Sequence, residues 1–144
     1  MGNYWTNPVR HPEDTGMQYV RRTVTFNMTD TGGAAIGTNP GIPMGALEAG
    51  AIPLYCHVTI ETAFNAGTTN VLIVGTLADD DALVAAAGVD ETAVALTRVT
   101  PATLAGLVAP TADTAIYTKY TQTGTAASAG EAIVVVEYVV DNDQ

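Results

Sequence analysis

The chain has 144 residues, with fifteen acidic and five basic side chains and a formal net charge of -10. Arg10, Arg21, Arg22, Arg98 and Lys119 are too few for a phosphate-tracking surface, which argues against direct nucleic-acid binding and against docking on an anionic membrane. A single cysteine, Cys56, excludes an intrachain disulfide, and no stretch reaches the roughly 20 apolar residues of a membrane span.

The length suits one domain, which buries roughly 68–70% of its unfolded-chain surface. Residues 1–16, MGNYWTNPVRHPEDTG, read as an irregular arm broken by Pro8 and Pro12. The arm has no basic start followed by an apolar core, so no secretory signal is expected. Tyr4 and Trp5 stand in it, and large aromatics on a polar arm find somewhere to pack. They fold back on the domain, or they reach a neighbouring subunit or the surface the protein sits on.

Residues 17–144 read as one β domain, because Thr and Val suit a pleated surface and the apolar residues alternate. Residues 19–28 predict a strand with Val20, Val24, Phe26 and Met28 on one face, interrupted by Arg22. A Gly/Pro-rich loop follows over 30–43, then a short strand over 44–47 and a turn at Glu48-Ala49-Gly50. Residues 51–75 predict a long strand, a tight turn and a second strand, a hairpin. Ile52, Leu54, Cys56, Val58 and Ile60 fall on one side of the first strand, and Tyr55, His57, Thr59 and Glu61 on the other. Gly67 supplies a residue free to take positive φ in the turn. Val71 to Val74 is apolar on both faces, which suits a central strand or one whose Val71 and Ile73 meet another subunit.

After Gly75, residues 79–88 predict the one short helix, with Asp79 as cap, Asp80 and Asp81 in the first turn and Gly88 as stop. Residues 94–99 predict a strand and 100–113 a Pro-bearing loop that tucks in or packs on a partner. Residues 114–121 place Ile116 and Tyr120 on one face and Tyr117 and Lys119 on the other. Residues 131–140 form the strongest strand pattern, central and two-sided, its outer row of Ile133, Val135 and Val139 broken by Glu137. The fold expected from this order is all-β: an antiparallel β-sandwich, jelly-roll-like, with one short helix and the irregular arm. More strands are apolar on both faces than a lone sandwich needs, so an oligomer is expected.

Chemistry finds little material. Cys56 and His57 are strand neighbours and point to opposite faces, so they cannot form a nucleophile–base pair. Cys56 reads as a small buried hydrophobe or, alternatively, a reactive thiol. Ser128 lacks a nucleophile-elbow context, two separated histidines make no zinc signature, and no phosphate-binding glycine motif is present. Asp79-Asp80-Asp81 is read as helix capping rather than a calcium loop, for want of the spaced ligands and distal Glu. Glu61 and Glu137 are the carboxylates on strands, where an exposed face accounts for them. No catalytic residue, cofactor or metal is expected, and the protein is read as a non-enzyme.

The stretch VTIETAFNAGTTNVLIVGTLADDDALV, with the closing Val136-Glu137-Tyr138-Val139, resembles small virion proteins of tailed bacteriophages. The resemblance spans about residues 51–140 and implies a β-sandwich accessory protein. Its implied role is a capsid decoration or cement protein on the outer capsid surface, a homotrimer bound to the major capsid protein. Related folds in tail, fibre and head-fibre components imply an alternative place in the virion; a binding module there, such as a carbohydrate-binding sandwich, needs an exposed aromatic platform, for which Tyr55, Tyr117 and Tyr120 are the candidates. The arm lies outside the matched part, so a capsid or subunit contact by Tyr4 and Trp5 is inferred from their chemistry alone, as is one by Val71 and Ile73. A sandwich-fold hydrolase is the third alternative.

Overall fold

The computed structural model describes residues 18–28, 41–101 and 110–140. The arm with Tyr4 and Trp5, the Gly-rich loop over 29–40 and the loop centre over 102–109 lie outside the described residues. Seven strands follow one another: β1 (Gln18–Thr25), β2 (Ile42–Leu47), β3 (Ala51–Thr62), β4 (Thr69–Thr76), β5 (Ala95–Val99), β6 (Thr114–Thr123) and β7 (Glu131–Val140). They form a four-stranded sheet in the order β1-β7-β3-β5 and a three-stranded sheet in the order β2-β6-β4. Every pairing is antiparallel. The described chain is thus all-β, two sheets sharing one core.

Consecutive strands alternate between the sheets, so no strand pairs with its sequence neighbour. The expected hairpin over 51–75 is therefore not one. β3 pairs with β7 and β5, whereas β4 pairs with β6. Its turn is a crossing between sheets, held against the β6–β7 crossing. Gly67 and Thr68 donate backbone hydrogen bonds to the carbonyls of Thr125 and Thr123 at 2.8 and 3.0 Å. The Asn65 side-chain oxygen accepts from the N–H groups of Ser128 and Ala129 at 2.9 and 3.0 Å. Gly67 does not take a positive φ. A Cβ there would lie 2.8 Å from the Thr125 nitrogen, so close approach is what requires glycine.

The core is built from inward rows. Val136, Cys56, Val134, Val58, Ala132 and Ile60 of the four-stranded sheet are at most 1% exposed, and Leu72, Val74, Ile116 and Tyr120 face them from the other sheet. Burying one such aliphatic side chain contributes about 1.5–3 kcal/mol. Phe64 and Tyr120 meet with ring centroids 4.4 Å apart, and the Tyr120 hydroxyl donates to Asn70 Oδ1 at 2.7 Å, so its one polar atom is satisfied. On β3 the expected face is corrected. A register shift between Pro53 and Tyr55 adds a residue, so Ala51 and Pro53 join Cys56, Val58 and Ile60 on the buried side while Ile52 and Leu54 are half-buried.

β4 is an edge strand rather than a central one. Its apolar run still fits, because the residues after it cover its free edge. Val74 N–H donates to the Val84 carbonyl at 3.1 Å, and the N–H groups of Leu83 and Val84 return to the Val74 carbonyl at 2.9 and 3.0 Å. The next outward N–H, that of Leu72, donates to a Glu91 carboxylate oxygen at 2.7 Å. An edge so covered offers no template for further pairing.

This cover also replaces the expected helix. No helix forms over 79–88. The N–H of Thr76 and that of Ala82 converge on the Asp79 carbonyl, closing a turn, and residues 83 and 84 spend their N–H groups on β4. A helix this short is marginal alone, and bonding to the strand edge outweighs it. β7 runs as expected, central between β1 and β3, its inner row buried from Ala132 to Tyr138 and half-buried at Val140.

Candidate functional site

Two outward sheet faces and one acidic loop carry the polar and apolar groups that a partner or ligand could meet. On the four-stranded sheet, the ladders align outward rows across β1, β7, β3 and β5. One row is Tyr19, Glu137 and Tyr55; the next is Arg21, Val135, His57 and Arg98; the third is Thr23, Ile133, Thr59 and Leu96. Val135, Ile133 and Tyr55 are half-buried by their neighbours, while Tyr19 and Leu96 at the two edges are 66% and 69% exposed. The face thus mixes Ile133 and Val135 on its central strands with His57, Thr59, Glu61, Glu131 and Glu137, and carries an arginine on each edge strand.

His57 and Glu137 interrupt this surface together. His57 Nε2 lies 3.1 Å from Glu137 Oε2, but off the hydrogen-bond line, so the contact is one of charge and strongest when the imidazole is protonated. Arg98 stacks its guanidinium carbon 3.4 Å from the Tyr55 ring centre, a cation–π contact that holds the cation over the sheet. Tyr55 and His57 rings are 6.3 Å apart. Neither the pairing of His57 with Glu137 nor the placing of Arg98 over Tyr55 was expected from the strand patterns. The signal available was that Glu137 breaks an otherwise apolar outward row while His57 stands on the polar face of its strand, but period two does not say which strands are neighbours.

On the three-stranded sheet, Val71 and Ile73 face outward and are half-buried. Ile73 lies opposite Lys119, which is only 8% exposed and sets its ammonium 3.4 Å from an Asp80 carboxylate oxygen. Tyr117 shares this face, opposite Gly75. Tyr55, Tyr117 and Tyr120 therefore lie on the outer face of one sheet, the outer face of the other and in the core. They form no common platform.

The loop after β4 gathers acids. Ligand oxygens of Asp79, Asp80 and Asp81 lie within 4.8 Å of one another and could approach a cation, although Asp80 is already engaged by Lys119. Partial desolvation and the neighbouring Asp79 and Asp80 push the Asp81 carboxyl above its usual range. Glu91 is 5% exposed; burial pushes its carboxyl up, against the opposing pull of the Leu72 N–H. Its backbone carbonyl accepts from Phe64 N–H at 2.9 Å, so Glu91 ties the loop to both sheets. Cys56 is buried on the inner face and His57 points outward, as strand alternation requires. Burial pushes the Cys56 thiol up to about 12, which makes it an inert packing residue at neutral pH.

No protein-family model and no curated relative matches this chain. Two solved structures do match in shape. A chain in the cyanophage Pam1 capsid asymmetric unit aligns with a TM-score of 0.60 at 18% identity, covering 91% of this chain and 89% of that one. A chain in the capsid of Ralstonia phage GP4 aligns with a TM-score of 0.57 at 17% identity, covering 90% and 88%. The fold described above, over nearly its whole length, is one also found in chains of phage capsid structures.

Proposed function

We propose that this chain is a structural protein of a tailed-phage virion: a capsid decoration or cement protein, bound as a homotrimer to the major capsid protein on the outer surface of the shell, with no catalytic role. The observation that carries this reading is the shared fold, which spans about nine-tenths of this chain and of each capsid-structure chain. The strand order supports a jelly roll. An eight-stranded jelly roll sets its first, last, third and sixth strands in one sheet and its second, seventh, fourth and fifth in the other. The observed order supports that reading when the bridge between Val84 and Val74 is taken in place of a fifth strand.

Composition and energetics agree with the role. A net charge of -10 keeps a shell component from sticking to packaged DNA. A decoration protein stabilises by many modest contacts, since a few buried apolar side chains at about 1.5–3 kcal/mol each are summed over several linked subunits. The test is add-back. Particles stripped of this chain are mixed with the purified protein, and binding and the temperature of DNA release are measured. Saturable binding with a higher release temperature is expected; absence of binding, or recovery of the chain with tails alone, would refute the assignment.

A further inference from the structure

The segment between β4 and β5 is fastened to the β4 edge in two places, by different chemistry. The first fastening is apolar. Ala82, Leu83 and Val84 are buried, and the bridge between Val74 and Val84 adds backbone bonds beside them. None of these residues titrates. The second fastening is polar. Residues 85–94 run along the surface, and of their side chains only Val89 and Glu91 are buried. Glu91 holds this half of the segment twice: its carboxylate accepts the Leu72 N–H of β4 at 2.7 Å, and its backbone carbonyl accepts the Phe64 N–H beyond β3 at 2.9 Å. The groups that face the carboxylate are the Leu72 N–H from β4, the Tyr120 phenol from β6, and Asp90 with the N–H of Glu91 itself from its own segment. Among the described residues no basic side chain pairs with it. Hydrogen bonds from Thr92 hold the Asp90 carboxyl below its usual range, so Asp90 is already charged when Glu91 titrates.

We propose that residues 85–94 form a pH-sensitive latch: when Glu91 ionises, this half of the segment swings off the β4 edge and bares the N–H groups of Leu72 and Phe64, while the Val84 fastening stays closed. Solvation is the cause. In the closed state the charge meets N–H donors and a neighbouring carboxylate but no cation, whereas in the open state water solvates it. Burial therefore holds the closed-state carboxyl above its ordinary range. The open state binds the proton less tightly. Closure is thus most favourable below the ordinary carboxylate range and weakens as pH rises through the raised one. Only Val89 leaves the core when the latch opens, because Leu83 and Val84 belong to the apolar fastening. The device makes exposure of the β4 edge depend on pH, and it does not rest on the virion role.

The test is native-state hydrogen exchange of the full chain, followed by NMR from acid to mildly alkaline pH and corrected for intrinsic exchange. Protection of the Leu72 and Phe64 amides is expected to fall as pH rises through the Glu91 titration, whose midpoint the side-chain carboxyl resonance gives in the same samples. Protection at Val74, Leu83 and Val84 and along the β3–β7 ladder is expected to hold. Glu91→Gln keeps an acceptor but does not titrate, and is expected to abolish the pH dependence. Constant protection at Leu72 and Phe64 would overturn the inference, as would an equal fall at Val84 and along the ladder. A midpoint apart from that of Glu91, or a pH dependence that survives in the glutamine variant, would overturn it too. The wild-type curves decide the matter even if the variant does not fold.

Discussion

Glu91 offers a direct test of how the free edge of β4 is closed. Its carboxylate accepts the N–H of Leu72 at 2.7 Å, and Leu72 is fully buried. Glu91→Ala removes the acceptor and leaves that N–H without a partner, which costs about 1–3 kcal/mol. In a chain of this length each kcal/mol moves the melting temperature by about 3–5 °C, so a drop of roughly 3–15 °C is expected in calorimetry. Glu91→Gln keeps an acceptor oxygen at the same place and removes the buried charge; its stability is expected to stay within about 1 kcal/mol of wild type at neutral pH. The pH dependence has a definite sign. Burial raises the folded-state carboxyl above its unfolded value, so the folded chain holds the proton more tightly. The contribution of Glu91 is most favourable below the unfolded pKa and declines as pH rises through the folded one. The glutamine variant should therefore gain on wild type as pH is raised across that window. Equal destabilisation by Gln and Ala, or a gain on acidification instead, would refute this account of the edge.

Gly130 has φ near +147°, and a Cβ there would sit 2.2 Å from the Phe64 ring, so Gly130→Ala is expected to lower stability by several kcal/mol, on the order of a core-breaking change; a melting temperature within about 2 °C of wild type would contradict it. Phe64→Ala is expected to cost about 3–5 kcal/mol by denaturant titration, because the ring is 2% exposed and packs on Tyr120. Cys56 should resist a thiol reagent in the native protein at pH 8 and react fully in denaturant, given its burial and raised pKa; stoichiometric native labelling would show the strand to open.

Strand positions were legible in the sequence where period two ran unbroken. β7 matches its expected span, since Ala132, Val134, Val136 and Tyr138 alternate with partly exposed residues and no bulge intervenes. β3 was legible as a strand, but its phase before Tyr55 was not, because Ile52 and Leu54 are as apolar as the Ala51 and Pro53 that are buried instead. Pairing was illegible for a different reason. Asn65, Gly67 and Thr68 make a good turn in either a hairpin or a crossing between sheets, and only their bonds to residues 123–129 decide. The acidic run after β4 misled because Asp favours helix caps and turns through the same side-chain bonding. The outward row of Arg21, Val135, His57 and Arg98 is assembled from four strands far apart in the chain, so no local pattern could reveal it. Val71 and Ile73 were expected to be covered by a subunit or a central position; they lie half-buried on the outer face of an edge strand whose edge is closed by the chain itself.

The most direct test of the central claim is a cryo-electron microscopy reconstruction of the particle that carries this chain. Density fitting the β1-β7-β3-β5 and β2-β6-β4 sheets on the outside of the shell, in threefold clusters against the major capsid protein, is the expected result. The same two sheets found only in the tail or a fibre, or absent from the assembled particle, would contradict it.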